Sequence, residues 1–226
     1  MIEFLLLDLD DTILDFKMAE KVALEKTMRS FGIEPTPENC RRYSEINQAH
    51  WEALERKELT REQVMIGRFF VFFEEMGIQG DARACAVQYA RNLGIGHYFL
   101  PGAEETVERL SKKYKIYIAS NGTKDIQVPR LKSANIARFC QDIFISEDIG
   151  ENKPAIGFFE KCFARIPGFD KNKAIIVGDS LSSDIQGGIN AGIRTCWVNP
   201  KHKEAKIQPD YEIESITQLE ALLETL

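Results

Sequence analysis

No basic cluster, no long apolar run and no paired cysteines occur in this chain of 226 residues. Each absence excludes a class of function. Twenty-nine Lys and Arg against 35 Asp and Glu leave a net charge of −6, and no stretch gathers the positive surface needed to engage a phosphate backbone. A nucleic acid polymer is therefore not the expected partner. No uncharged apolar run approaches the ~20 residues that cross a bilayer, so no membrane is expected either. Met1 leads almost directly into Phe4-Leu5-Leu6-Leu7 and then an acidic cluster, without the basic start and small-residue cleavage site of a secretory signal. The cysteines (Cys40, Cys85, Cys140, Cys162, Cys196) are scattered without a Cys-x-x-Cys pair, which reads as free thiols in a reducing compartment. His50, His97 and His202 show no metal-ligand spacing. The expectation is a soluble, cytoplasmic protein.

What is present begins with core material: 44% of the residues are hydrophobic, an ordinary globular share. Short apolar runs at 2–7, Ile116–Ala119, Ile143–Ile145, Ala174–Val177 and Thr195–Val198 each end in polar residues or glycine. Such runs suit strands buried on both faces of a parallel sheet. Helical patterns over about 103–114, 124–134, 155–165, 182–192 and 215–225 separate the later runs. The alternation predicts an α/β fold with a doubly wound, Rossmann-like parallel sheet and right-handed crossovers. Residues from about 16 to 96 break the rhythm and read as four helices. Gly32 ends the first, Thr36-Pro37 opens the second, Thr60 and Gln63 have capping-box spacing for the third, and Asp81 caps the fourth,. Four helices need one another to bury their apolar sides. The expected division is a catalytic core of residues 1–14 and 97–226 around an inserted helical domain of residues 15–96.

Four polar motifs follow apolar runs, and in parallel sheets reactive groups collect beyond the carboxyl ends of strands. The first is Asp8-Leu9-Asp10-Asp11. Asp8 and Asp10 point the same way on an extended chain, and their repulsion is relieved by a proton or a cation. A hard divalent ion such as Mg2+ suits an all-oxygen site. One carboxylate could attack phosphorus while the other handles protons, although a surface turn produces the same acids. Ser120-Asn121-Gly122 offers a hydroxyl and backbone N–H groups to a phosphate oxygen, or is an ordinary Asn-Gly turn. Lys153-Pro154 could neutralise charge shared by Asp8 and a phosphoryl group, or sit in a solvated loop. Gly178-Asp179-Ser180, with Asp184 five residues beyond Asp179, could complete a metal site, or serve only to cap a helix.

Taken together, in the order Asp-x-Asp, Ser, Lys, Gly-Asp-x-x-x-x-Asp, the motifs resemble those of the haloacid dehalogenase superfamily, and the resemblance spans the whole chain. It implies that Asp8 is the nucleophile that becomes an aspartyl phosphate. Asp10 resembles the acid that protonates the leaving oxygen and then activates water, with its backbone carbonyl on the metal. Thr12 matches the threonine that ends the first motif and supports the site. Ser120 and Asn121 would bind the phosphoryl group, and Lys153 would bridge it to Asp8. Asp8, Asp10 and Asp179 would hold Mg2+, with Asp184 supporting the metal from behind. The helical insert matches the superfamily's cap, which closes over substrate. Asp10 favours phosphoryl transfer over dehalogenation, because dehalogenases of this superfamily have an aromatic residue there and halide leaves without a proton.

Further motifs resemble the nucleotidases that act on pyrimidine 5′-monophosphates: Ser120-Asn121-Gly122 with Gln127 and Arg130-Leu131, Ser183-Asp184-Ile185, Asn190-Ala191-Gly192-Ile193, Thr195-Cys196-Trp197 and Asn199-Pro200. The implied partner is a small phosphorylated substrate, a nucleoside monophosphate. Phe16, Tyr43, Trp51, Phe69, Phe70, Phe72, Phe73 and Tyr89 are candidates to stack on a base, and most of them must instead pack the bundle. Other readings are a sugar-phosphate phosphatase or phosphomutase of the same superfamily, and a non-enzymatic phosphorylated aspartate switch. The switch needs neither an acid like Asp10 nor a helical insert.

Overall fold

A computed structural model describes all residues, 1–226, and divides them into two compact units: residues 1–16 with 97–226, and residues 17–96.

In the first unit six strands form one parallel sheet: β1 (Phe4–Leu7), β2 (Lys115–Ser120), β3 (Asp142–Ile145), β4 (Ala174–Gly178), β5 (Arg194–Val198) and β6 (Tyr211–Ile213), in the order β3-β2-β1-β4-β5-β6. The pleat sends alternate side chains to opposite faces. Leu5, Leu7, Ile116, Ile118, Ile175, Val177, Cys196 and Val198 face one core, with Val107 and Leu110 of α5 (Ala103–Ser111), Leu131 of α6 (Lys124–Ser133), and Leu219 and Leu223 of α10 (Leu219–Leu223). Phe4, Leu6, Tyr117, Ala119, Phe144 and Ile176 face the other, with Phe158, Phe159 and Cys162 of α8 (Ile156–Phe163) and Ala191 of α9 (Gln186–Ala191). Helices on both faces explain why these strands are apolar throughout rather than alternating. The doubly wound sheet that the strand–helix rhythm predicts is present.

The sequence of connections reverses direction at β1: β2 and β3 lie to one side of it, β4 to β6 to the other. A crevice opens at such a switch point beyond the carboxyl ends of the strands. Asp8, Ser120 and Asp179 occupy or directly follow the last positions of the three strands that meet there.

Three features depart from the sequence reading. β6 was not anticipated, because Tyr211-Glu212-Ile213 is short and only Ile213 is buried. The helix expected over 182–192 opens instead with a π-helical turn, Leu181–Ile185, before α9. The one expected over 215–225 is a 3₁₀ turn, Ile216–Gln218, followed by α10. A further single turn, α7 (Ser146–Ile149), follows β3.

The helical segment contains α1 (Phe16–Ser30), α2 (Pro37–Glu55), α3 (Arg61–Glu75) and α4 (Ala82–Ile95). Capping follows the expected chemistry. Thr36 accepts from the Asn39 N–H at 3.1 Å, Thr60 and Gln63 form a reciprocal capping box, and Asp81 accepts from Ala84 at 2.9 Å. Tyr43, Phe69, Phe72 and Tyr89 form a buried aromatic cluster, with ring centroids 4.9 to 5.7 Å apart in the contacting pairs. They fill the bundle, as most of the aromatic residues there were expected to. No helix is long and apolar enough to cross a membrane.

Candidate active site

β1 delivers Asp8 to the sheet's carboxyl edge, and the Asp8 N–H continues the ladder by donating to the Val177 carbonyl at 2.9 Å. Asp8 is nearly buried, and Lys153 meets it there: Nζ donates to Asp8 Oδ1 at 2.7 Å and to Asp184 Oδ1 at 2.6 Å. The third donor of the same ammonium goes to the Ala119 carbonyl at the end of β2. Only 1% of Lys153 is exposed, so its charge is committed to these partners. Burial works to lower its pKa, but the Asp184 and Asp8 carboxylates outweigh that and hold it above the ordinary lysine range. Burial pushes the Asp8 carboxyl well above the usual carboxylate range. Lys153 opposes the rise, and Asp184 and Asp179 add to it by repulsion,.

β4 ends in Gly178-Asp179, and the following π-helical turn brings Asp184 back toward the strand end. Asp184 Oδ2 accepts from the Ser180 N–H at 3.1 Å, while Ser180 Oγ caps the turn by accepting from Ser183 N–H at 3.2 Å. The capping and site readings of this motif therefore coexist. A Cβ at residue 178 would overlap the Asp184 side chain, so glycine there is a condition of Asp184 reaching Lys153.

Carboxylate oxygens of Asp8, Asp179 and Asp184 lie within 4.8 Å of one another. Three carboxylates facing one ammonium leave two negative charges, which one divalent cation would neutralise. The donor set is all oxygen, as magnesium prefers, so these residues fit that ion. Asp184, which the motif offered as completing a metal site and the resemblance as its support, has its carboxylate among the three that converge.

The Asp10 side chain, unlike its backbone carbonyl, was not expected on the metal, and it is held by residues of α6. Asp11 adopts a left-handed conformation, φ 57°, which aspartate tolerates better than most residues. Its Oδ1 accepts from the Phe16 N–H at 3.1 Å, and its N–H donates to the Leu14 carbonyl at 2.7 Å. This turn follows Asp10, and Thr12 within it is wholly buried. The Asp10 carboxylate then accepts from Arg130 Nη1 at Oδ1 and from Gln127 Nε2 at Oδ2, both at 2.6 Å. Arg130 Nη1 also donates to Gln127 Oε1 at 2.9 Å, closing a three-membered ring.

Ser120 Oγ accepts from Gln127 Nε2 at 3.0 Å and from the Gly122 N–H at 3.1 Å. Its own hydrogen remains as the group it can donate. The Asn121 side chain, expected beside the phosphoryl group, turns to the segment that carries Lys153. Its side-chain amide donates from Nδ2 to the Lys153 carbonyl at 2.9 Å and accepts at Oδ1 from the Lys153 N–H at 2.8 Å. That pair of bonds uses the amide to position the Lys153 main chain. Gln127 and Arg130 are the residues whose contacts sequence reasoning did not read. Their available signal was a polar pair at i and i+3 on the buried side of α6, beside Ile126 and Leu131,.

The family model described as haloacid dehalogenase-like hydrolase matches residues 5–198. The chain is 39% identical to YfnB of Bacillus subtilis, described as a HAD hydrolase, over 97% of this chain and 94% of that one. A crystal structure of YfnB bound to magnesium superposes with a TM-score of 0.93 at 38% identity, covering 98% of each chain. Pyrimidine 5′-nucleotidase PynA of Streptococcus pneumoniae is 38% identical over 96% of this chain and 93% of its own. Pyrimidine 5′-nucleotidase YjjG of Escherichia coli is 28% identical over 98% and 97%. Fold, motif order and these likenesses agree, and the chain belongs to the haloacid dehalogenase-like hydrolases.

Proposed function

We propose that the protein hydrolyses small phosphomonoesters with magnesium, through an aspartyl phosphate on Asp8, and that its substrates are pyrimidine nucleoside 5′-monophosphates. The observation that carries the reading is the buried Lys153 bridging Asp8 and Asp184 at 2.7 and 2.6 Å, with the Ser120 hydroxyl and the Asp10 carboxylate joined through Gln127 of α6. The nucleotide preference rests on the resemblance to PynA over nearly the full length of both chains.

In this mechanism Asp8 Oδ attacks phosphorus as the ester P–O bond breaks, and Asp10 gives its proton to the departing alkoxide. Asp10 then takes a proton from water, which attacks phosphorus and breaks the P–O bond to Asp8, releasing phosphate. Lys153 holds positive charge against Asp8 throughout, and Ser120 donates to a phosphoryl oxygen. Magnesium held by Asp8, Asp179 and Asp184 would supply a compact positive charge facing the nucleophile and the phosphoryl oxygens. Preorganised charge of this kind provides most of the acceleration in phosphoryl transfer.

Phosphate release measured across pyrimidine and purine monophosphates and sugar phosphates tests the reading. Turnover is expected with pyrimidine monophosphates, lost on chelation by EDTA and restored by magnesium. Asp8→Asn should form no hydroxylamine-sensitive phosphoenzyme. A requirement for a bisphosphate primer would mark a mutase, and a phosphoenzyme persisting for hours would mark a switch; either outcome overturns the proposal.

A further inference from the structure

We propose that Gln127 and Arg130 are positioning residues that fix the Asp10 carboxylate and set it in register with the Ser120 hydroxyl; this rests on the acid/base role given to Asp10 above. Asp10 retains 27% side-chain exposure while Arg130 has none. The buried member of the pair therefore reaches outward to hold the accessible one. Its guanidinium is itself fixed, lying 5.8 Å from the centre of the Phe16 ring. Gln127 spends every polar atom on this arrangement. Its amide carries two hydrogens, one directed to Asp10 and one to Ser120, and its oxygen accepts from Arg130.

One planar amide thus ties together the group that moves protons and the group that would hold the phosphoryl oxygen. The backbone accommodates it: a Cβ at Gly122 would collide with the Gln127 side chain, so the residue after Asn121 is bare where the amide crosses. Each Asp10 oxygen accepts one of these bonds and keeps a second lone pair, so the carboxyl can still carry the proton that it delivers. Without the two partners, the carboxyl of Asp10 would sample other rotamers, and a proton donor out of line with the leaving oxygen loses its contribution, roughly 10²–10⁴-fold in rate.

The chemistry supplies a readout that general damage would not imitate. An alkoxide leaving from a nucleoside monophosphate needs the proton of Asp10. p-Nitrophenolate leaves unaided, because its charge is delocalised. Both substrates give the same aspartyl phosphate, and both need Asp10 as base for its hydrolysis. The experiment is rapid-quench measurement of phosphoenzyme formation by the full-length magnesium enzyme with uridine 5′-monophosphate and with p-nitrophenyl phosphate, in wild type, Arg130→Met and Gln127→Met.

For Arg130→Met the expected result is a loss of about 10²-fold in phosphoenzyme formation from the nucleotide against less than about 3-fold from the aryl ester, and for Gln127→Met, which also releases Ser120, a loss at least about 10-fold greater on the nucleotide than on the aryl ester. The aryl ester should also give a burst of p-nitrophenol followed by slow turnover, with aspartyl phosphate accumulating. Equal losses on both substrates, or none, would overturn the positioning role while leaving the proposed function intact. A wild type that forms no phosphoenzyme from either substrate would remove both. Should Arg130→Met fail to fold, Gln127→Met, which keeps the length of the side chain, carries the same test.

Discussion

At Asp8, the carboxylate proposed as the nucleophile lies among two further carboxylates and one ammonium. Burial and that repulsion raise its pKa in the metal-free chain. Linkage fixes the sign: ionising a group whose folded pKa is raised opposes folding. The opposition is absent below the ordinary carboxylate pKa and grows as pH climbs through the raised value. Metal-free protein should therefore melt progressively lower as pH rises from mildly acidic toward neutral. Asp8→Asn should remove that component and melt above metal-free wild type at neutral pH, and magnesium should stabilise wild type far more than the variant. Thermal melts with and without magnesium decide the matter, and identical pH profiles for the two chains would contradict it. Asp10→Asn should lower kcat by roughly 10²–10⁴ for nucleotides, whereas unchanged turnover would refute its part in proton transfer. The residues that face each other across strand ends were legible because each directly follows an apolar run. Gln127 and Arg130 stood out only as motif residues and as a polar pair on α6; their contacts were not legible, since the shared partner lies 117 and 120 positions away.

The elements that carry the site show why some were readable and others were not. A parallel strand covered on both faces has to be apolar along its length, so β1, β2 and β4 stand out and their polar ends point to the site. β6 lies at the sheet's edge with Glu212 exposed, and its residues carry no such signature. The π-helical turn ahead of α9 coincides with the Asp184 carboxylate meeting both the Ser180 N–H and Lys153, and no periodicity displays that long-range pairing. α9 also sits very close to the sheet. A Cβ at Gly188 would fall 2.6 Å from Ile176 Cγ2 and 2.6 Å from Thr195 Cγ2, well inside van der Waals contact. Gly188→Ala should destabilise the protein by about 1–3 kcal/mol, read as a lower urea midpoint. An unchanged midpoint would mean that the helix shifts freely. Helix ends were the most legible element feature, because capping is local: at Thr60 the hydroxyl, Gln63 and both backbone groups lie within one turn.

Across the whole molecule, each of the two units has a buried interior of its own. The sheet unit is apolar on both faces. The helical unit buries Arg68, 1% exposed, which donates to Asn47; Asn47 Nδ2 donates to Glu20 Oε1 at 2.7 Å, and Ser44 Oγ to Glu20 Oε2 at 2.7 Å. The guanidinium also lies 5.1 Å from the Tyr89 ring centre. Removing one member of a buried charged network costs about 3–5 kcal/mol, so Arg68→Ala should unfold the helical unit ahead of the sheet unit. The two tryptophans report separately, Trp51 from α2 and Trp197 from β5. Single-tryptophan variants carrying Arg68→Ala should show Trp51 emission shifting at lower urea than Trp197, and coincident transitions would refute independent cores. That two units exist was readable from the break in strand–helix rhythm. The polar network inside the helical one was not, because Arg68 looks like any surface arginine until its partners on other helices are known.

The chain leaves the sheet unit through residues 13–15 and comes back through 98–100, and those two passages are laced together. Leu100 N–H donates to the Ile13 carbonyl at 2.9 Å, and Asp15 N–H to the Tyr98 carbonyl at 2.7 Å. Paired backbones of this kind stand roughly 4.5–5.5 Å apart, so the gap is set by the sheet unit itself, whatever is threaded between its two lips. Any segment whose own ends emerge side by side, long or short, could be spliced at that doorway without altering the reacting groups a few residues upstream. The sheet unit thereby closes on itself at the junction, independent of the length of the segment inserted there.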